Sequence, residues 1–237
     1  HFIIGSEYWI SEGNIFSVEA YVKDYSNIYD LNPKVEGSDI EGTIALSGIG
    51  RSYGLELMYR LKKDKISGWI SYAYSRIKRE VDLNSDGIIW QSKEIYPAKY
   101  DKPHSFNSVL SYQLSEKHEI GLSTIFSSGQ TYTPVVGKVH QAGSQSYGSL
   151  ENPYHYFGNI YGGRNSGRYP NYFRIDLSLT RKSNLWGLTG KWKFQIINLT
   201  NHYNVLLYNW NHEASPSQVL AYSMFPILVT FGWEFNI

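Results

Sequence analysis

The 237-residue chain has no cysteine, so neither a disulfide framework nor a thiolate metal site can organise it. It also lacks any run of about 18 consecutive apolar residues, the least a bilayer-spanning helix needs. A helical membrane protein is excluded on that ground. Charge of one sign is missing too: 22 basic and 21 acidic residues leave a net charge of +1, without the basic stripe that nucleic-acid binding calls for. No charged and apolar leader precedes His1, so the expectation is that processing or truncation removed the native start.

Aromatic residues, by contrast, are abundant. Tyr, Trp and Phe together make 16% of the chain, as expected of a β-barrel with aromatic girdles at both membrane interfaces. Side chains on a strand alternate between faces, so a strand with lipid on one side and water on the other alternates apolar and polar residues. Tyr53, Leu55, Leu57, Tyr59 and Leu61 oppose Ser52, Gly54, Glu56, Met58 and Arg60 in this way. Phe173 to Thr180 and Ile227 to Ile237 repeat the pattern, and Phe106 to Ser115 repeats it with Ser108 and Val109 out of step. Less regular stretches cover Phe2 to Ile10, Ile15 to Tyr25, Ile66 to Arg76, Glu119 to Ser127 and Leu188 to Ile197, for about nine strands in all.

Links between these strands alternate in length. Short ones fall at Ser11 to Asn14, Lys62 to Lys65, Ser115 to His118 and Ser183 to Gly187; long ones cover Asn27 to Gly48, Asp82 to Lys102, Thr133 to Gly167 and Asn201 to Met224. Outer-membrane barrels place long loops outside and tight turns in the periplasm. A soluble β-sandwich also alternates, but links of roughly 20 residues are uncommon in compact soluble domains. Nine strands cannot close a bacterial up-and-down barrel, whose strand number is even. An open sheet would leave two edges unpaired in lipid. The expected fold is therefore all-β, a transmembrane antiparallel barrel incomplete alone; Val205 to Trp210, pairing separately, would instead allow ten strands and closure.

Several stretches resemble TonB-dependent receptors, especially those of Bacteroidetes-like bacteria. They are Val18-Glu-Ala-Tyr-Val-Lys-Asp-Tyr25, Gly50-Arg-Ser-Tyr-Gly-Leu-Glu-Leu57, Tyr100-Asp-Lys-Pro-His104, Phe173-Arg-Ile-Asp-Leu177, Ile197-Asn-Leu-Thr-Asn201 and Phe225-Pro-Ile-Leu-Val-Thr-Phe-Gly-Trp-Glu-Phe235. Each fragment is weak alone, and their order is the specific part. The resemblance implies that residues 1–237 supply about nine C-terminal strands of a barrel of about 22 strands around an N-terminal plug. It implies an outer-membrane location in a Gram-negative bacterium, uptake of a glycan, peptide, siderophore or similar nutrient, and energy coupling to TonB through the plug. If the receptor is SusC-like, a surface lipoprotein covers the loops. One departure is the ending Phe235-Asn-Ile237, where such barrels commonly finish on an aromatic residue.

Candidate sites follow. Asp82, Asn84 and Asp86 match the opening of a calcium loop, D-x-N-x-D-G, but position twelve is Lys93, with Glu94 one place late. An ordinary Asp/Asn/Gly turn is the favoured reading of these residues, with weak calcium binding as the alternative. His140, His155, His202 and His212 have no metal-site spacing. Glu213 beside His212, or Asp101 near His104, would suit a rim enzyme, yet no nucleophile with base and orienting group can be assembled. No catalytic residue is expected. Tyr147, Tyr154, Tyr156, Tyr161, Arg164 and Trp210 are candidate ligand contacts in the long loops, since aromatic faces beside amides suit sugar or peptide recognition; packing of the loop on itself is the equal alternative. Arg51, Glu56, Arg60, Arg174, Asp176, Lys191 and Lys193 are expected to line the lumen and meet the plug. Besides uptake, a scaffold barrel that holds partner proteins through its loops remains open.

Overall fold

The computed structural model describes residues 1–30, 48–82, 93–142, 155–185, 187–211, 214 and 218–235. Among these, sixteen strands and no helix occur: β1 (Phe2–Ser11), β2 (Asn14–Ile28), β3 (Gly48–Lys63), β4 (Ile66–Asp82), β5 (Lys93–Pro97), β6 (His104–Gln113), β7 (His118–Ser127), β8 (Thr131–Tyr132), β9 (Val135–Ala142), β10 (His155–Tyr161), β11 (Gly167–Arg168), β12 (Tyr172–Leu185), β13 (Leu188–Ile197), β14 (Val205–Asn211), β15 (Gln218–Ser223) and β16 (Leu228–Phe235). The main sheet follows the order β1-β2-β3-β4-β6-β7-β12-β13-β16, with β5 continuing along β4 beyond β6. Every neighbour is antiparallel. The nine strands of this path are the nine expected from alternation. Val205 to Trp210 does pair separately, in the hairpin β14–β15 outside the sheet. Residues β1 and β16 each present one unpaired edge, and the sheet does not close among the described residues.

Tight turns make the meander possible. Gly13 and Gly187 have φ of 79° and 80°, and Asp64 has 48°, the left-handed conformation that matches a hairpin turn to the twist of its strands. A side chain at Gly13 would also meet the Lys62 carbonyl at 2.9 Å. β3 and β4 pair from Lys63–Ile66 to Gly48–Val81 without a bulge, so the parity of side chains holds along their length. It crosses β6 unbroken as well: Ser108 faces with Ile70 and Thr124, and Val109 with Trp69 and Ser123. The two residues that seemed out of step are substitutions on a regular strand.

Following the register across the sheet sorts the faces. One carries the row Ser6, Val18, Leu57, Tyr72, Phe106, Phe126 and Phe173, and below it the row of Leu61, Gly68, Leu110, Leu122, Leu177, Ile196 and Val229. The other carries Gly5, Glu19, Glu56, Ala73, Ser105, Ser127 and Tyr172. Charges bound the apolar face at both ends: Lys63, His118 and Arg181 lie at the turn side, Asp24, Arg51, Lys78 and Glu80 at the loop side. Between them runs a belt with aromatic margins. Trp192 stacks on Phe231 and Trp233 at centroid distances of 5.1 and 5.4 Å at the turn-side margin, while Tyr72, Phe106, Phe126 and Phe173 form the opposite margin. From Tyr53 to Leu61 the belt is eight steps of about 3.4 Å, or about 27 Å of strand.

The belt slants. Its uppermost ladder row on β1 is that of Phe2, Val22 and Tyr53, whereas on β16 it is that of Val229, which the register carries back to Leu61. Tyr53 and Leu61 are eight residues apart, and β1 to β16 is eight strand steps, so the belt shifts by about one residue per strand. With a rise of about 3.3 Å and a strand spacing of about 4.8 Å, the strands incline by roughly 35° to the normal of the belt.

Beneath this belt there is no hydrophobic core among the described residues. The buried apolar residues are Val81, Tyr96, Ala98 and Val135, all at the loop end, while Phe2, Ile4, Leu55, Val229 and Phe231 stay exposed.

Candidate functional site

The long links fold into a rim at the loop end of the sheet. β4 pairs with β6 up to Tyr74 and with β5 from Lys78 onward, leaving a break in the ladder at residues 75–77. Asp101 fills it. Its carboxylate accepts a hydrogen bond from the Ile77 amide at 2.8 Å, while Ser75 N donates to Pro103 O and Ala98 N to Ile77 O. The side chain is completely buried and faces two cations: Arg168 Nη2 at 2.6 Å and Arg76 Nε at 3.3 Å. Arg76 is close enough for charge pairing but not aligned for a hydrogen bond. Arg168 also donates to the carbonyls of Asp101 and Gly129, drawing β11 onto the start of β6. A buried carboxylate persists only when paired and hydrogen-bonded, and here it is both.

A second cluster lies beside it. Tyr96 pairs with Arg79, and Val81 with Glu94, so Tyr96, Arg79 and Glu94 point to the polar face of the sheet, the face of Glu56. Tyr96 Oη donates to Asp30 Oδ2 at 2.5 Å. Burial, then the Asp30 carboxylate, push its phenol up to about 12, opposed by Arg164. Arg164 reaches in from the segment between β10 and β11: it sits 3.3 Å from Asp30, 3.3 Å from Glu94 and 4.8 Å over the Tyr96 ring. One guanidinium thus fastens the residue where the first long link departs, the residue where the second returns, and its own loop. Next to it Asn165, at φ 52°, donates from its side chain to Pro97 O at 2.9 Å and from its backbone to Thr133 Oγ1 at 3.1 Å.

A third contact is aromatic. Tyr132, Tyr169 and Tyr208 meet with centroid distances of 4.6, 5.4 and 4.9 Å, tying β8, the segment after β11 and the hairpin β14–β15. Burial first, then the neighbouring Tyr208 and Tyr169, raise the Tyr132 phenol above its usual range. Gly129 permits this approach, because a Cβ there would lie 1.7 Å from the Tyr169 carbonyl oxygen.

The expected ligand contacts separate accordingly. Arg164 is taken up by Asp30, Glu94 and Tyr96. Tyr161 is exposed at the end of β10, and Trp210, half-buried, points to the same side of β14 as Tyr208. Tyr147, Tyr154 and the side chain of Tyr156 lie outside the described residues, as do Asn84, Asp86, His212, Glu213 and the side chains of Asp82, His140 and His155. Asp101 and His104 do not form a pair: Asp101 is engaged as above, and His104 Nδ1 lies 2.8 Å from Tyr72 Oη. His202 stands edge-on to Phe173 at 6.1 Å.

Of the residues expected to line the lumen, Glu56, Arg60, Arg174, Asp176, Lys191 and Lys193 share the polar face. Arg51 does not. It shares parity with Tyr53 and Leu55 and is paired in register with Asp24, to which it makes an exposed ion pair of 2.6 Å. Its polarity reflects a position just beyond the belt margin, where parity no longer predicts polarity. Arg174 bonds Asp176 at 2.9 Å, and Lys191 and Lys193 flank Glu234 at 3.4 and 4.0 Å. Glu56 faces Glu19 directly, a like-charge pair that opposes stability.

Two of the sequence fragments turn out to be partners. Asp176 Oδ1 accepts the Asn198 amide at 2.9 Å. Asn198, buried at φ 55°, in turn bonds the His202 amide and carbonyl and the Phe225 carbonyl, and Asn201 Oδ1 accepts from Ile227 N. Asn204 bonds both the amide and the carbonyl of Phe173. Sequence reasoning missed these roles, although Asn tolerance of left-handed backbone was the available signal. Comparison with known protein families, curated proteins and solved structures found no match for this chain.

Proposed function

We propose that this chain is a wall segment of a transmembrane β-barrel in the outer membrane of a Gram-negative bacterium, and that the barrel is a plugged, TonB-dependent receptor for an external nutrient. The observation that carries the membrane reading is the slanted belt: an apolar, aromatic-edged face about 27 Å long over a sheet with no core of its own among the described residues. Soluble proteins rarely expose contiguous apolar surface on this scale, and lipid is the solvent that accepts it. The unpaired edges of β1 and β16 favour further strands, because unsatisfied backbone groups in hydrocarbon cost several kcal/mol each.

The polar face supports a filled lumen. Trp9, Ile15, Trp69 and Val109 lie there in one cross-strand register, with Arg60 between Ile15 and Trp69, and Arg174 Nε is a buried donor without an acceptor among the described residues. A plug would cover the first and supply the second. Receptor identity and TonB coupling rest on the resemblance, and a surface lipoprotein belongs to its SusC-like form.

Spin labels placed singly from Phe106 to Gln113 in the full-length receptor test the reading. Oxygen accessibility, reporting lipid, is expected to peak at 106, 108, 110 and 112, and that of a soluble nickel chelate at the positions between. Uniform aqueous accessibility at both sets sinks it.

A further inference from the structure

Two cavities open at the rim, of about 610 and 440 Å³, within the size range of small-ligand sites. Lys99, Thr133 and Asn165 line both, so the cavities are lobes of one groove divided by the Asn165 segment. Tyr100 and Tyr161 stand exposed in the larger lobe, and the half-buried Tyr132 and Tyr169 line the smaller.

The charges around the groove cancel with one exception. Of the charged residues that line it, Asp30 and Glu94 are matched by Arg79 and Arg164. Lys99 is exposed and makes no ion pair among the described residues. Its ammonium therefore stands at the division between two aromatic lobes as the uncompensated charge. The divider is fixed by the Asn165 bonds to Pro97 and Thr133 and by the ion pairs of Arg164, and a site whose walls are held from behind binds without a large ordering cost.

We propose that this groove binds an elongated, ring-bearing anionic ligand, an acidic oligosaccharide, with ring faces on the tyrosines of the two lobes and a carboxylate on Lys99. This deepens the receptor reading and rests on it. Aromatic faces take the apolar side of a sugar ring, and a carboxylate meeting an otherwise uncompensated ammonium forms a charge-assisted hydrogen bond. Arg164 is a positioning residue and touches no ligand.

The test uses full-length receptor in isolated outer membranes, with tetra-galacturonate and its fully methyl-esterified form as probes. Tetra-galacturonate is expected to bind, the ester at least tenfold more weakly. Lys99→Gln is expected to weaken tetra-galacturonate binding about tenfold and to leave the ester unchanged, while Lys99→Arg stays within about threefold of the parent. Equal binding of the two probes, unchanged binding by Lys99→Gln, or binding of neither probe by a receptor that fractionates with the outer membrane overturns the proposal. A receptor absent from that fraction overturns the receptor reading itself.

Discussion

In the belt, from Tyr53 down to the turns, neighbouring strands hold one another by backbone ladders and leave Leu55, Leu122 and Phe231 uncovered. Above it, the rim buries Val81, Tyr96 and Ala98 beside the ion-paired carboxylates of Asp30 and Asp101. The belt leaves its apolar side chains uncovered, whereas the rim holds its carboxylates in internal ion pairs and hydrogen bonds, as the interior of a water-soluble domain does. One chain thus follows two sets of burial rules, and the changeover falls within single strands: β4 runs from Ile66 in the belt to Val81 in the rim.

The sharpest way to break the rim side is Asp101→Ala. It strips two guanidinium groups and the Ile77 amide of their shared acceptor, an uncompensated burial that costs about 3–5 kcal/mol, near the lower figure because both arginines are partly exposed. Protease cleavage in the loops should rise steeply while the belt stays intact; unchanged protection would mean that the rim does not depend on this splice. On the belt side, the proposed lipid contact predicts that Leu110→Arg destabilises by about 2–4 kcal/mol, and Ser111→Arg, one residue on and on the polar face, by far less. Equal losses in denaturant unfolding from liposomes would erase the distinction between the faces. Gly129→Ala forces a methyl against the Tyr169 carbonyl, with an expected cost of about 1–3 kcal/mol, visible as faster exchange of the Tyr169 amide; a variant with parent-like exchange would leave the close approach without consequence. Arg164→Lys keeps the charge but loses the fork and the stacking on Tyr96, and should loosen the loop with little change in global unfolding.

The smallest effect is one of pH. Because the folded Tyr96 phenol is raised above its ordinary value of 10.0 to about 12, the folded state holds a proton that the unfolded chain releases. The stability this contributes is complete below pH 10 and is lost as pH rises toward 12. Absorbance titration at alkaline pH should show a late-ionising phenol that disappears in Tyr96→Phe; its persistence in that variant would assign it elsewhere.

Much of the belt was readable beforehand. Alternation in Tyr53–Leu61 and Phe173–Thr180 reports a face with one solvent on each side, and the nine strands follow from it. Legibility fails where that asymmetry ends. Past Arg76 the strand β4 carries Lys78, Arg79 and Glu80, since both faces there meet water or other loops, and the strand reads as a link. Arg51 was misassigned for the same reason, lying one step beyond the belt. β5, β8, β11 and the hairpin β14–β15 are short or isolated and carry no long alternating signal. Among the rim residues, Arg164 stood out by type in an aromatic loop, but its partners Asp30 and Glu94 are far away in sequence, and only the fold brings them to it. Asp101 beside His104 and Asp176 on the polar face stood out for other roles, because a carboxylate that completes a backbone ladder has no sequence spacing to betray it.

The slant of the belt also sets a length of wall. Strands about 4.8 Å apart, inclined by roughly 35°, occupy about 5.9 Å of circumference each. Nine of them therefore make an arc of about 53 Å, and the closure of about 22 strands that the resemblance implies would be about 41 Å across. The chain then supplies about two-fifths of the cylinder, and its rim groove looks inward from one side of a mouth too wide for this arc to bridge.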